Sequence, residues 1–362
     1  MNKGQMTIFS ILLISFFTTF TSCDGHKNSK TQKEQTIDVG VTVSSIDKTI
    51  WAIYQDKNTN YWFGSKNNGV YIYNGQQIKH LTVKDGLVSN DIRGFQEDSE
   101  GNIFIETERG VSKFDGRTFT TLQIANPESP KNDWGLDPDD LWFRIGFSNN
   151  GVYRFDGKYL NYLKFPQSPQ EDEFKSKNKN ESIRPYGLYT IYKDHKGVMW
   201  FGTVSLGLCR FDGKTLSWHY EDQLQTTPEG GDFGTRAIFE DTEGKFWINN
   251  TRFRYNLIPT SSININFQKE DGIGYLDEGN KKAFPFFLSI TEDNEGNLWM
   301  VTYDNGVWKY NGKELIHYPI RDGETDVLLF TIFKDNKGVL WLGSHNAGVY
   351  KFNGKSFEKM FE

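Results

Sequence analysis

The stretch Asp293-Asn294-Glu295-Gly296-Asn297-Leu298-Trp299 decides the fold, together with Asn305-Gly306-Val307 and Tyr310-Asn311-Gly312 that follow it. Taken alone, it predicts a polar turn, an aromatic strand, a turn marked by glycine and a short hairpin. The pattern matters because it recurs along the chain. Recurrence at such a period indicates copies of one supersecondary unit that pack on each other.

Seven copies of the unit align on one aromatic residue of a predicted strand, which we name strand B. The aromatic residues are Trp62, Phe104, Trp142, Trp200, Trp247, Trp299 and Trp341. In six copies an acid lies six residues earlier, at Asp56, Asp98, Asp194, Asp241, Asp293 and Asp335. Four residues before the acid stands a small residue: Ala52, Gly94, Thr190, Ala237, Ser289 or Thr331. Period-2 alternation around this small residue predicts the preceding strand, strand A.

A second signal in each copy predicts a hairpin between two further strands, C and D. Six copies carry the dipeptides Asn74-Gly75, Asp115-Gly116, Asp156-Gly157, Asp212-Gly213, Asn311-Gly312 and Asn353-Gly354. Such dipeptides between apolar runs favour a type I′ turn, in which both central residues have positive φ. Four short antiparallel strands per copy, stacked radially, predict an all-β, seven-bladed β-propeller of four-stranded blades. A solenoid is the alternative, but repeated hairpins without helices fit it less well.

Two copies and one insert depart from the pattern. The third copy has Gly135-Leu136-Asp137-Pro138-Asp139-Asp140 in place of the acidic turn, and the fifth, at Asn249 to Tyr255, lacks both glycine signals. A polar insert from Phe165 to Pro185 separates the third and fourth copies. We expect the insert to be an exposed loop.

The first residues are predicted to lie outside the propeller. Ile8 to Phe20 is an apolar run too short to span a membrane, and it precedes Cys23. Residues 1–22 resemble a bacterial lipoprotein signal peptide, which implies a lipidated Cys23 and a place in the cell envelope; an ordinary signal peptide is the alternative. Residues 23–45 are expected to be a flexible tether, in which Ile37 to Ser44 is a candidate for an added strand where the ring closes. The propeller is expected to span residues 46–362.

The composition narrows the class of partner. The formal net charge is -6 and the sequence has no basic block, which argues against a nucleic-acid partner. Charged residues make up 24% and aromatic residues 15%, enough apolar bulk for a core. We expect a monomer without a cofactor or metal, whose only contact with a membrane is the lipid anchor.

The repeat resembles the two-component regulator propeller repeat. The closest matches are Lys193-Asp194-His195-Lys196-Gly197-Val198-Met199-Trp200-Phe201-Gly202-Thr203 and Phe333 to Ser344. In that family such repeats form the periplasmic sensors of hybrid histidine kinases, many of which respond to oligosaccharides. These 362 residues contain no kinase, receiver or DNA-binding segment. The resemblance therefore implies a propeller that binds a ligand, a glycan or a peptide, in sensing or capture without catalysis.

The candidate site lies where the copies differ. The recurring acid and glycine are explained by tight turns, since Asp hydrogen-bonds its own backbone and glycine supplies positive φ. The loops between strands B and C, and between strand D and the next strand A, are expected to share one rim. Aromatic faces with Arg, Asn and Asp beside them suit a sugar. The candidates are Asn67, Glu108, Arg109, Trp134, Arg144, Asn149, Tyr186, Phe233, Arg236, Arg252, Tyr303, Asp304 and His345.

Two other functions stay open at this point. A scaffold would bind another envelope protein through the same rim. A lyase similar to the seven-bladed virginiamycin-inactivating type would use His and Glu with Mg²⁺, and Glu106, Glu108 and His345 are the only comparable set.

Overall fold

A computed structural model describes residues 39–125, 133–146, 150–178, 184–225, 233–259, 265–273 and 286–361. These residues form seven antiparallel sheets arranged as blades, which confirms the predicted seven-bladed β-propeller. The predicted signal peptide, Cys23 and most of the predicted tether lie outside the described residues. In the described part of the chain, no helix has the length and apolar character needed to cross a bilayer.

The strands follow the repeats in chain order. Blade one contains Ile50–Gln55, Tyr61–Ser65, Val70–Tyr73 and Ile78–Leu81, and blade two contains Ile92–Glu97, Ile103–Thr107, Gly110–Phe114 and Phe119–Thr121. Blade three contains Leu141–Phe143, Gly151–Phe155 and Leu160–Lys164, and blade four Leu188–Lys193, Met199–Thr203, Leu208–Phe211 and Leu216–His219. Blade five contains Ile238–Glu240, Phe246–Ile248, Phe253–Pro259 and Ile265–Asp271, and blade six Ser289–Glu292, Leu298–Val301, Val307–Tyr310 and Leu315–Tyr318. Blade seven contains Leu329–Lys334, Leu340–Ser344, Val349–Phe352 and Phe357–Lys359.

A few elements lie outside this plan. The described helices are Glu171–Lys177, Asp222–Gln225 and the 3₁₀ turn Val83–Asp85, and a two-stranded hairpin joins Arg321–Asp322 to Thr325–Asp326. Val41–Val43 forms a fifth strand on the outer edge of blade one, where it pairs with Ile78–Leu81. The segment proposed for ring closure thus extends the first blade, while the four strands of blade seven all come from the last repeat.

The recurring acid and aromatic residue are joined by a hydrogen bond. In blade seven, Asp335 Oδ1 accepts the backbone N–H of Val339 at 2.9 Å, and Oδ2 accepts Trp341 Nε1–H at 3.0 Å. The same Asp–Trp bond occurs in four other blades, at Asp56–Trp62, Asp194–Trp200, Asp241–Trp247 and Asp293–Trp299. One carboxylate therefore closes the turn and satisfies a buried indole, which explains why both residues recur at this spacing.

The strand-B aromatics form the cores between blades, as expected. Each is buried in a separate apolar cluster; Trp62, for example, packs with Ile72, Ile103 and Phe114 between blades one and two. A fully buried aromatic side chain contributes roughly 1.5–3 kcal/mol relative to exposure. Because a blade has a neighbour on each side, both of its faces are apolar.

The ring closes with the same contacts that join other blades. The residue that follows the recurring Asp donates its backbone N–H to a side chain of the next blade. The acceptor is the residue that precedes the recurring Asp of that blade. His195 N, after Asp194, thus donates to Glu240 Oε2, before Asp241, at 2.8 Å. Between blades seven and one, Asn336 N donates to Gln55 Oε1 at 2.9 Å. Tyr61 Oη also donates to Asp335 at 2.7 Å. No strand exchange is needed, because this link repeats around the ring.

Two predictions about turns and loops were wrong. The C–D hairpins have positive φ at glycine but not at the preceding Asn or Asp. The side chain of that Asn or Asp accepts the backbone N–H groups of the residues two and three positions later, as Asn74 does from Gln76 and Gln77. These bonds hold the Asn or Asp backbone at negative φ. The insert after blade three was predicted to be a loop, yet Glu171–Lys177 is a helix. Its ion pairs, Glu171–Lys175 and Glu173–Lys177, have the spacing that supports a helix.

Blade three begins at strand B within the described residues. Side chains of blade two contact the backbone of this first described strand and of Arg144 after it. Gln96 Nε2 donates to the carbonyl of Trp142 at 2.7 Å, and Glu106 Oε2 accepts the N–H of Arg144 at 2.9 Å. The third repeat, which lacks the acidic turn, thus corresponds to a blade with no inner strand among its described residues.

Candidate functional site

A cavity of about 440 Å³ opens around the propeller axis on the rim formed by the B–C and D–A loops. Each blade contributes at least one lining residue, and these include Trp51, Arg93, Arg144, Tyr189, Arg236, Leu288 and Phe330. This size lies in the range of about 300–1,000 Å³ that is usual for small-molecule sites.

The cavity side chains come from one position of strand A, immediately before the small residue. The pairing of strands A and B shifts there in four blades, so that Trp51, Arg93, Tyr189 and Phe330 each lie between paired neighbours. A bulge of this kind re-aims a side chain that regular pairing would place elsewhere. The repeat thus presents one variable residue per blade to the axis.

Blade three supplies Arg144 instead, from its strand B. Arg144 Nε donates to Glu106 Oε1 at 2.8 Å, and its terminal nitrogens donate to the carbonyls of Tyr189 and Arg93. The equivalent strand-B position is glycine in blades one, four and seven, where the next blade's strand A leaves no space for a side chain. In blade three this position holds Arg144, which pairs with Glu106 of blade two.

Blade five supplies Arg236, which several contacts hold. Its guanidinium lies 4.0 Å from the ring centroid of Tyr189, Nε donates to the Phe233 carbonyl at 2.8 Å, and a terminal nitrogen donates to Tyr189 Oη at 3.1 Å. Asn249 Oδ1 accepts the backbone N–H of Arg236 at 2.8 Å. The irregular fifth repeat therefore positions this arginine.

The aromatic side of the cavity is a packed cluster. Trp51 and Phe330 are parallel, with ring centroids 4.6 Å apart. Trp51 Nε1 donates to His345 Nδ1 at 3.2 Å, and Tyr303 lies 6.3 Å from the His345 ring. His345 and Tyr303 thus border the cavity behind Trp51.

The structure distributes the candidate residues predicted from the sequence over several parts of the propeller. Glu108, Arg144 and Arg236 line the axial cavity, and Phe233 supports Arg236. Asn67, Glu108 and Arg109 line a second hollow of about 370 Å³ between blades one and two. Arg252 lies over Phe253, and Asp304 is exposed beside Tyr303. Trp134 and Tyr186 belong to the core between blades three and four, and Asn149 lies outside the described residues.

Sequence reasoning missed Trp51, Arg93, Tyr189 and Phe330. The signal was present: the residue before the small position of strand A reads Trp51, Arg93, Tyr189, Arg236, Leu288 and Phe330 in successive complete copies. A position that varies inside an otherwise regular repeat indicates a side chain not needed for packing. These four residues lie in strands, whereas binding residues are most frequent in loops, where the predicted candidates lie.

The set considered for a lyase is dispersed. Glu106 is buried against Arg144, Glu108 pairs with Arg93 at 2.9 Å, and His345 bonds Trp51. Across the described ranges, no three His, Cys, Asp or Glu side chains come together in a way that could hold a metal ion.

Comparison with known proteins agrees with this fold. Residues 44–67 match the family described as two component regulator propeller. The extracellular domains of the putative hybrid two component systems BT4673 and BT3049 from B. thetaiotaomicron superpose with a TM-score of 0.58, at 19% and 18% identity over 86% and 87% of this chain. The chain covers 39% and 40% of those two proteins, about two fifths of their length.

A second group of similar structures consists of enzymes. Virginiamycin B lyase from Staphylococcus aureus superposes with a TM-score of 0.59 at 14% identity, over 86% of this chain and 97% of the lyase. Sequence identities this low establish a shared fold only. No curated protein sequence matches the chain. The recurring pattern, the family match at residues 44–67 and the sheet topology together identify the chain as a seven-bladed β-propeller that carries the two component regulator propeller repeat.

Proposed function

We propose that this protein is a lipid-anchored, extracytoplasmic propeller that binds a small ligand, a glycan or a peptide, in sensing or capture. The observation that carries the proposal is the axial cavity, to which every blade contributes a side chain. Its bulged positions are occupied by aromatic and cationic residues. Concave sites with a few convergent polar groups are the usual form of a small-molecule site.

The contacts of the cavity favour binding over catalysis. Arg93 forms ion pairs with Asp91 and Glu108, each at 2.9 Å, and Glu106 forms an ion pair with Arg144. His345, the histidine beside the cavity, bonds Trp51 through Nδ1. These groups hold one another in place, as preorganised binding surfaces do.

A thermal-shift panel of oligosaccharides and short peptides tests this proposal. We expect at least one compound to raise the unfolding temperature of the wild-type protein, because a ligand that binds only the folded state stabilises it. Phe330→Ala should reduce that shift, whereas Tyr159→Ser, at an exposed residue of a C–D hairpin on the opposite face, should preserve it. A panel without any shift, or a shift equal in both variants, contradicts binding at the axial cavity.

The anchor requires a separate experiment. Metabolic labelling with a fatty-acid analogue in a bacterial host should mark the wild-type chain and not Cys23→Ser. Equal labelling of both proteins, or labelling of neither, contradicts lipidation at this residue.

A further inference from the structure

The axial cavity has two chemically different halves. Blades six, seven and one contribute Leu288, Phe330 and Trp51, which are apolar or aromatic. Blades two, three and five contribute Arg93, Arg144 and Arg236, and blade four contributes Tyr189 between them. The halves meet where the Arg93 guanidinium lies 5.1 Å from the ring centroid of Trp51. A ligand that spans the cavity therefore meets Leu288 and Phe330 on one side and Arg144 and Arg236 on the other.

The three arginines differ in how their charge is balanced. Arg93 forms ion pairs with Asp91 and Glu108, and Arg144 forms one with Glu106. Among the residues that the structure describes, no carboxylate lies within ion-pairing distance of Arg236. Within the described part of the chain, the Arg236 charge thus has no counter-charge.

Arg236 is also preorganised. Stacking on Tyr189 and the bonds to the Phe233 carbonyl and Tyr189 Oη use two of the five guanidinium N–H donors. No other bond from its guanidinium is made to the described residues. Because the side chain is already held, a ligand that binds the remaining donors loses little conformational entropy.

We infer that the ligand of this cavity is a saccharide bearing a carboxylate, a uronic-acid sugar, whose carboxylate pairs with Arg236. This inference rests on the proposed function and specifies the ligand class of the same site. The planar guanidinium fork matches the two oxygens of a carboxylate. The sugar ring then lies toward Trp51, since blades one and two lie across the ring of seven blades from blade five.

Isothermal titration of the full chain with short oligogalacturonates and with their neutral methyl esters tests the inference. We expect the acid to bind about 10- to 100-fold more tightly than the ester, as for the loss of a hydrogen bond to a charged group. Arg236→Gln should remove that difference, and Arg236→Lys should restore part of it. Arg117→Gln, which removes the same charge from an exposed turn on the opposite face, should leave binding unchanged.

The outcomes separate the two proposals. Equal affinity for acid and ester, or an acid preference that survives Arg236→Gln, overturns the inference and leaves the proposed binding function standing. Preference for a sulfated sugar over the uronate overturns the carboxylate assignment. Absence of binding by acid, ester and sulfated sugar overturns the inference, and the wider thermal-shift panel then decides the proposed function. If Arg236→Gln fails to fold, the comparison of acid with ester on the wild-type protein still decides.

Discussion

Glu106 of blade two accepts the backbone N–H of Arg144 at 2.9 Å and its Nε–H at 2.8 Å. Through these bonds a buried carboxylate satisfies the exposed edge of strand B in blade three, which elsewhere pairs with an inner strand. The same contacts place Arg144 at the axial cavity. This contact between blades two and three therefore forms part of the wall of the candidate site.

Replacing Glu106 with alanine should destabilise the protein strongly. The variant leaves a partly buried guanidinium without its counter-charge and the N–H of Arg144 without an acceptor, at a cost of about 2–4 kcal/mol. Urea denaturation measures the change in free energy of unfolding. Glu108→Ala is the control, because its side chain is 39% exposed and such surface pairs contribute about 0–1 kcal/mol. Similar losses in both variants would show that the Glu106 pair has no special role.

Two glycine-to-alanine changes should differ because one glycine packs tightly against the next blade and the other does not. A Cβ at Gly202 would lie 2.3 Å from the carbonyl oxygen of Thr235 in the next blade, so Gly202→Ala should cost about 1–3 kcal/mol. A Cβ at Gly94 would lie no closer than 3.9 Å to Glu106, so Gly94→Ala should be neutral or stabilise by about 0.4–1 kcal/mol. Comparable unfolding midpoints in urea for the two variants would contradict this packing.

The Asp335 carboxylate should be important for ring closure. Asp335→Ala removes the acceptor for Val339 N–H, Trp341 Nε1–H and Tyr61 Oη–H, and we expect a loss of about 2–5 kcal/mol in the free energy of unfolding. Asp304→Ala, at an exposed rim residue, should change it by less than about 0.5 kcal/mol. Chemical denaturation followed by tryptophan fluorescence compares the two. A small effect at Asp335 would mean that apolar packing alone closes the ring.

The same carboxylate should make stability depend on acid pH. Burial by itself raises the pKa of Asp335, but hydrogen bonds from Trp341, Tyr61 and the turn outweigh burial and hold the pKa below its usual range. A carboxyl whose pKa is lower in the folded state stabilises the protein above the unfolded pKa of about 3.9. That contribution is lost as the pH falls from there through the lowered folded pKa. Asp293 behaves in the same way for the same reasons.

Urea midpoints measured from neutral pH down to about pH 3 check the titration. The wild-type midpoint should fall more steeply below about pH 4 than that of Asp335→Asn, which cannot titrate at this position. Parallel profiles for the two proteins would exclude a contribution of this carboxylate.

Much of the fold could be predicted because its determinants are local. The Asp and Trp of five repeats are six residues apart, and their side chains meet within one turn and strand. The Asn-Gly and Asp-Gly dipeptides lie inside single hairpins, so the strands they join were predicted correctly even where the turn type was not. The helix Glu171–Lys177 was missed because the charge pairs that support it were interpreted only as a polar insert.

The candidate site was only partly predictable. Arg144 and Arg236 were selected because they lie in the B–C and D–A loops of one rim, and the structure brings both to the axial cavity. Trp51 and Phe330 were missed, although they stack at 4.6 Å, because they are separated by most of the chain and meet only where the ring closes. Tyr186 and Trp134 have the same residue types as the cavity aromatics, yet they pack between blades three and four.

The sequence by itself determined the blade, the number of blades and the residues that build each one, because those interactions act within a repeat or between identical neighbours. Only the tertiary structure decided which side chains share the axial cavity. Register shifts in strand A turn Trp51, Arg93, Tyr189 and Phe330 toward the axis, and bonds to Glu106 and to the Arg93 carbonyl hold Arg144 beside them. The variable strand-A position can be found in the sequence, but which of its side chains meet depends on contacts between distant repeats, such as the stacking of Trp51 on Phe330, which no local pattern encodes.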